Sequence, residues 1–266
     1  MAASAIGTKA SAKPDGLPII RVCADPHNMP FSDDKGRGID NALARLVADA
    51  LGMRLEYIWL PQRRGFVRNT LNAGRCDIMM EAPAAYERAT TTAPYYRSGY
   101  VFLSRRDRHL TVRSFDDPRL RRLRIGLQVI GDDYANSPPA AALGSRRLGA
   151  NVVGFPVYGD YSQPTPLSPI ADAVASGAVD IAVVWGPLGG WYAKESTVPL
   201  SIRPVSPAVD RTGLPLTFSV SMAVRHGNVD LRRRLDEVIR THRSSIEETL
   251  GAFGVPMLAL SATRLP

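Results

Sequence analysis

The side chains of this 266-residue chain that could do chemistry are few, and their spacing excludes more than it licenses. His27, His109, His226 and His242 lie in four separate segments, without the His-x-x-x-His spacing that turns two imidazoles toward one metal. Asp116-Asp117 and Asp132-Asp133 could join the oxygen shell of a hard cation, which takes about six to eight ligands, but two adjacent carboxylates alone suit turn capping better. No Gly-x-Ser-x-Gly elbow, P-loop or dinucleotide fingerprint is present, so the residues imply no catalytic nucleophile, cofactor or metal. Glu81 is the one attractive general acid. It would need burial or a neighbour to bring its pKa toward neutrality, and nearby Arg88 is expected to lower it instead.

Cys23 and Cys76 permit one disulfide or two buried thiols. Separate thiols are favoured, because Cys23 falls near the end of one strand and Cys76 at the start of another, which separates them in height between parallel neighbours. Aromatic side chains that could line a cleft are Trp59, Tyr158, Tyr161, Trp185, Trp191 and Tyr192. Trp59 and Trp191 could equally fill cores, whereas Tyr158 and Tyr161 flank Gly159-Asp160, a turn where aromatics often mark contact surfaces. The net charge of +8 comes largely from dispersed Arg, without the interleaved basic and aromatic face expected of a nucleic-acid protein. Arg63, Arg64 and Arg68 read as a solvated face, or else as a basic rim for an acidic partner or for Asp132 and Asp133.

The elements that must position these residues are written twice. Asn69-Thr-Leu-Asn-Ala-Gly-Arg-Cys-Asp-Ile78 and Asp172-Ala-Val-Ala-Ser-Gly-Ala-Val-Asp-Ile181 each read as an amphipathic helix stopped by glycine, then Asp-Ile opening an apolar strand. Strands are expected over Ile19–Ala24, Leu55–Trp59, Tyr95–Ser104, Arg124–Gln128, Val152–Pro156, Leu200–Val205 and Leu216–Val224. Helices are expected over Ile39–Leu51, within Ala135–Leu148, over Pro187–Ala193, briefly near Arg88, and over Val229–Phe253 with a break near Ser244. The pattern predicts an α/β chain of two lobes: residues 18–105 with 208–260, and an inserted lobe of residues 106–207. Strand carboxyl ends should face a shared cleft. Met1 to Pro18 lack an apolar h-region and read as a flexible mature tail over residues 1–17, with no membrane-spanning segment elsewhere.

This arrangement resembles the two-lobed type II periplasmic binding protein fold, with a hinge of two crossing strands, over residues 18–256. Three longer strings narrow the resemblance: Pro61-Gln-Arg-Arg-Gly-Phe-Val-Arg-Asn-Thr-Leu-Asn-Ala-Gly-Arg-Cys-Asp77, Ile130-Gly-Asp-Asp133 and Gly154-Phe-Pro-Val-Tyr-Gly-Asp-Tyr161. They are similar to the MxaJ/XoxJ proteins that accompany pyrroloquinoline-quinone (PQQ) methanol dehydrogenases. The resemblance implies a noncatalytic periplasmic accessory protein whose partner is that dehydrogenase, with or without its cytochrome c. It leans toward the lanthanide-dependent, XoxJ-like system over the calcium-dependent one.

In amino-acid-binding relatives an Arg before the hinge strand clamps the ligand carboxylate, and Arg88 stands at the matching place, as Asp25 does after the first strand. The remaining grip departs from that pattern. Glu81-Ala-Pro83 replaces hydroxyl-bearing residues, Val129 to Asp133 follows Gln128 where donors are expected, and Trp185 stands near the place of the acid that holds the ligand amine. The position that would stack an aromatic ring falls near Arg64. A free amino acid is therefore an unfavoured ligand. The alternatives are a receptor feeding a small solute to an ABC transporter and, well behind, an enzyme using Glu81.

Overall fold

The structure is a computed structural model that describes residues 16–130, 137–163 and 165–260. In chain order the elements are β1 (Ile19–Ala24), β2 (His27–Asn28), β3 (Ser32–Asp33), α1 (Ile39–Ala50), β4 (Arg54–Trp59), α2 (Phe66–Asn69), β5 (Ile78–Pro83), β6 (Thr90–Thr91), β7 (Tyr96–Arg105), β8 (Ile125–Val129), α3 (Pro138–Ser145), β9 (Val152–Pro156), α4 (Pro169–Ser176), β10 (Ile181–Trp185), α5 (Gly186–Glu195), β11 (Leu200–Pro204), β12 (Thr217–Val224), α6 (Val229–Thr241) and α7 (Arg243–Ala252). Pairing runs β4-β1-β5-β12-β7-β10-β8-β9, with β11 also on β7 and β6 on β12.

The long strand β7 makes the two-lobed form. Its first residues, Tyr96 to Gly99, pair antiparallel with β12, whereas Tyr100 to Leu103 pair with β10 and Val101 to Arg105 with β11. One strand thus belongs to two half-sheets. The parallel ladders β4-β1-β5 and β10-β8-β9 lie on opposite sides of this handover. Beside the first half-sheet, Leu43, Ala44 and Val47 of α1 pack with Leu235, Val238 and Ile239 of α6 in one apolar cluster. Phe66, Val67, Leu71 and Met79 form another there. The second half-sheet is covered by a cluster containing Phe102, Phe115 and Leu143, and by one containing Ile170, Val174 and Leu188.

The return crossing carries a buried ion pair. Asp210 meets Arg146 at 2.8 Å, and both side chains are almost fully enclosed. Arg146 also holds Asp116 at 2.8 Å, whose carboxyl is kept below the usual range chiefly by that hydrogen bond. The C-terminal segment adds a further tie. Ser98 donates to the Pro256 carbonyl at 2.8 Å, Leu258 N donates to Arg97 O at 2.8 Å, and Lys194 donates to the Ala252 carbonyl. Gly190 permits this approach, because a Cβ there would lie 1.9 Å from the Gly254 oxygen.

Three local expectations are corrected. The second copy of the repeat does form a helix, α4, closed by left-handed Gly177, but in the first copy helix α2 ends at Asn69 and turns follow. Thr70 is β-branched and its hydroxyl bonds back to the Phe66 carbonyl at 2.7 Å, after which the chain dives to bury Leu71 and Cys76. Residues near Arg88 form turns rather than a helix. Cys23 and Cys76 are joined in a disulfide with Cα atoms 5.5 Å apart. The height argument failed because Cys76 precedes the β5 ladder and folds over the sheet face, where Cys23, Phe66 and Leu71 share one cluster.

Candidate functional site

Strands β1, β5, β8 and β10 end at one cavity between the half-sheets, of about 470 Å³. Asp25 follows β1, Glu81 to Pro83 end β5, Leu127 and Gln128 end β8, and Val183 and Trp185 end β10. This is the place where α/β sheets bind ligands, since loops beyond the carboxyl ends of strands are free to vary. Tyr100, Phe218, Tyr158 and Tyr161 complete an aromatic lining. Tyr100, Trp185 and Phe218 meet edge to face, with ring centroids 5.7 to 6.4 Å apart.

Two carboxylates face this space in different ways. Asp25 is almost fully buried and accepts from His27 N at 2.8 Å and Gln62 N at 2.6 Å. The Tyr161 hydroxyl donates to it from the opposite lobe. Arg63 lies 4.6 Å from the centre of the Tyr161 ring, which extends the tie across the cleft mouth. Gly159 sets the Tyr158–Tyr161 turn with φ of 60°, and a Cβ there would strike the Pro166 carbonyl at 2.0 Å.

Glu81 accepts from the Tyr96 hydroxyl at 2.7 Å. Loss of solvent pushes its pKa up to about 7, although hydrogen bonding from Tyr96 and Trp185 pulls the other way. The expected lowering by Arg88 does not occur. Arg88 is exposed, away from the cavity lining, and its carbonyl takes a hydrogen bond from Asn72 at 3.2 Å. The turns that follow Pro83, including those at Glu87 and Arg88 where a short helix was expected, leave the Arg88 segment exposed.

Of the residues expected at the site, Asp25, Glu81, Gln128, Tyr158, Tyr161 and Trp185 line the cavity. Trp59 stands outside it. As the last residue of edge strand β4 it stacks on Tyr57 at 4.6 Å, over the α1 cluster. Trp191 also stands outside, packed on Phe253 at 5.4 Å where α5 meets the end of α7. Tyr192 packs with the Ile170–Leu188 cluster. Arg64 is exposed beyond the lining, and Asp132 and Asp133 lie outside the described residues. Sequence reasoning missed Gln62, Tyr96, Tyr100 and Phe218. Their one signal was position, in the Pro61-Gln string and on the two strands that cross between lobes. Among the described residues no group of three or more His, Cys, Asp or Glu could hold a metal ion, and no helix is long and apolar enough to cross a membrane.

A two-lobed α/β chain with strand ends meeting over a cleft is the architecture of a solute-binding protein. The family model for bacterial extracellular solute-binding proteins, family 3, matches residues 20–249. Protein MoxJ of Methylorubrum extorquens is 32% identical over 260 residues, 94% of this chain and 85% of that protein. The crystal structure of periplasmic binding protein XoxJ from Methylobacterium extorquens AM1 is 37% identical, with a TM-score of 0.74 and coverage of 91% of this chain and all of that one. MxaJ from Methlophaga aminisulfidivorans MPT is 27% identical, with a TM-score of 0.77 over 90% of this chain and all of that one. The chain belongs to the family 3 solute-binding proteins and, within them, to the MxaJ/XoxJ family.

Proposed function

We propose that this protein is a noncatalytic periplasmic accessory protein of methanol oxidation. In this reading it associates with a PQQ-dependent methanol dehydrogenase of the lanthanide-dependent type, helps it mature or become active, and contacts it through the cleft or its rim. Membership in the MxaJ/XoxJ family supports the pathway, and 37% identity to XoxJ against 27% to MxaJ supports the lanthanide-dependent side. The observation that carries the reading is the cleft lining. Among the described residues it contains no Lys or Arg to grip a carboxylate, and Arg88, the inherited candidate, points elsewhere.

The lobes of this reading are residues 18–105 with 208–260, and the inserted 106–207. The apolar clusters follow that division except at its crossings, where Val101 to Leu103 and Leu216 pack with the inserted lobe. Those around α1 and α2 draw on Ile20 to Tyr96 and Val220 to Val255, and the other two on Val101 to Leu216. The test is capture of purified dehydrogenase, with or without its cytochrome c, on the immobilised chain, together with dehydrogenase activity in a deletion strain. Stoichiometric capture and reduced activity are expected. No association and unchanged activity would overturn the proposal. A transporter receptor for a small solute is the second reading, favoured by the size of the cavity. A solute that stabilises the chain, with no effect of deletion on methanol oxidation, would decide for it.

A further inference from the structure

We infer that the cleft holds a small organic cation with a compact apolar body, anchored on Glu81 against the rings of Tyr100, Trp185 and Phe218. This deepens the accessory reading, on which it rests only in taking the cleft as the working site.

The two lining carboxylates decide the charge of the guest. Asp25 already receives three donors, so its acceptor capacity is committed to its own lobe and to Tyr161. Glu81 receives hydrogen bonds from Tyr96 and Trp185, both uncharged donors, and no cation lies among its partners. A partly buried carboxylate with spare acceptor sites and no positive partner attracts a cation that enters with its own charge. The described lining holds no Lys, Arg or His, so nothing there would complement an anionic or zwitterionic head group.

The rings set the remaining chemistry. Tyr100, Trp185 and Phe218 are partly buried, mutually tilted and all on the cavity wall. Faces of Trp, Tyr and Phe attract cations through the ring quadrupole, most strongly when the cation is poorly hydrated, as an alkylated ammonium is. The adjoining wall of Leu127, Val183, Leu188 and Val220 suits an apolar body, and the cavity is within the range of small-molecule sites.

Such binding must follow the charge of Glu81. The groups around it are the Tyr96 hydroxyl, the Trp185 indole, Tyr95 and, from α1, Asp40, whose own carboxyl is held above its usual range by desolvation and then by Glu81. A probe of fixed charge therefore reports the protein's titration alone. Choline should bind the full chain in calorimetry, about tenfold tighter at pH 8 than at pH 6, as ionisation of a group near 7 requires. Its neutral isostere 3,3-dimethylbutan-1-ol and zwitterionic glycine betaine should each bind at least tenfold more weakly. Glu81→Gln, with its fold checked by circular dichroism, should lose at least tenfold in choline affinity and the pH dependence with it. Should that variant not fold, the wild-type pH profile and the neutral isostere still decide. No choline binding at pH 8, equal binding of the neutral alcohol, or affinity indifferent to pH would overturn the inference. Dehydrogenase capture is measured separately. Choline binding without capture removes only the accessory reading, and capture without choline binding removes only this one.

Discussion

Asp25 and Glu81 are the same functional group at facing strand ends of one lobe, yet the fold has put them to opposite uses. Asp25 is surrounded by donors: two backbone amides fix the loops after β1 and β4, and the Tyr161 hydroxyl ties in the other lobe. Glu81 has lost water without gaining equivalent compensation, so its proton is held up to about pH 7. A carboxylate held by three donors from two lobes is a structural part. One with acceptor sites open toward a cavity is available to a guest. Reading both as ligand contacts, as their sequence positions invite, misses the distinction.

The comparison is broken most severely by Asp25→Ala, which strands the His27 and Gln62 amides and should cost about 4 kcal/mol in urea denaturation. A loss below about 1 kcal/mol would show that Asp25 is not a structural anchor. Next in size is the pH response of Glu81. Because its pKa is raised from an ordinary 4.5 to about 7, the folded state binds the proton more tightly than the unfolded chain. Its contribution is fully present below about pH 4.5 and is lost as pH rises through 7, roughly 3 kcal/mol in all. Denaturation at pH 5 and pH 8 should show this fall in the wild type and a shallower slope in Glu81→Gln; parallel slopes would place Glu81 in water.

Tyr161→Phe removes one donor while leaving both amides on Asp25, and should cost about 1 kcal/mol. Because the lost bond spans the cleft, small-angle scattering should also report a larger radius of gyration, and an unchanged radius would count against a latch. The smallest effect is expected of Arg88→Ala. With Arg88 exposed outside the cavity, stability should change by less than about 0.5 kcal/mol and choline affinity not at all. A large loss of affinity would return Arg88 to the site.

Legibility in the sequence follows how local the cause of each feature is. Strand β1 and helix α1 were readable because apolar periodicity and a stop at Gly52 act over a few residues. The α6–α7 break was readable to within two residues, at His242 rather than Ser244, because the α6 stripe of Leu235, Val238 and Ile239 runs its course there. The first repeat copy misled, since its helical pattern is overruled by the need to bury Leu71 and Cys76 against the sheet. Placing Asp25, Glu81, Gln128, Tyr158, Tyr161 and Trp185 at one cavity needed only the rule that strand ends converge. Trp59 stands outside because strand-end position does not say which face a side chain takes, and Trp191 because its place within α5 sets it against Phe253.

By itself the sequence determined the α/β alternation, the crossing of the chain between two lobes and the poverty of catalytic motifs, because these are written in runs of neighbouring residues. Only the tertiary structure decided that Cys23 bonds Cys76, that Arg88 turns away, and that of two cleft carboxylates one is tied into both lobes while the other, held by Tyr96 and Trp185, has its pKa raised by burial. Each of those outcomes depends on groups far apart in the chain, whose approach is set by packing and whose charge is set by the solvent that packing excludes.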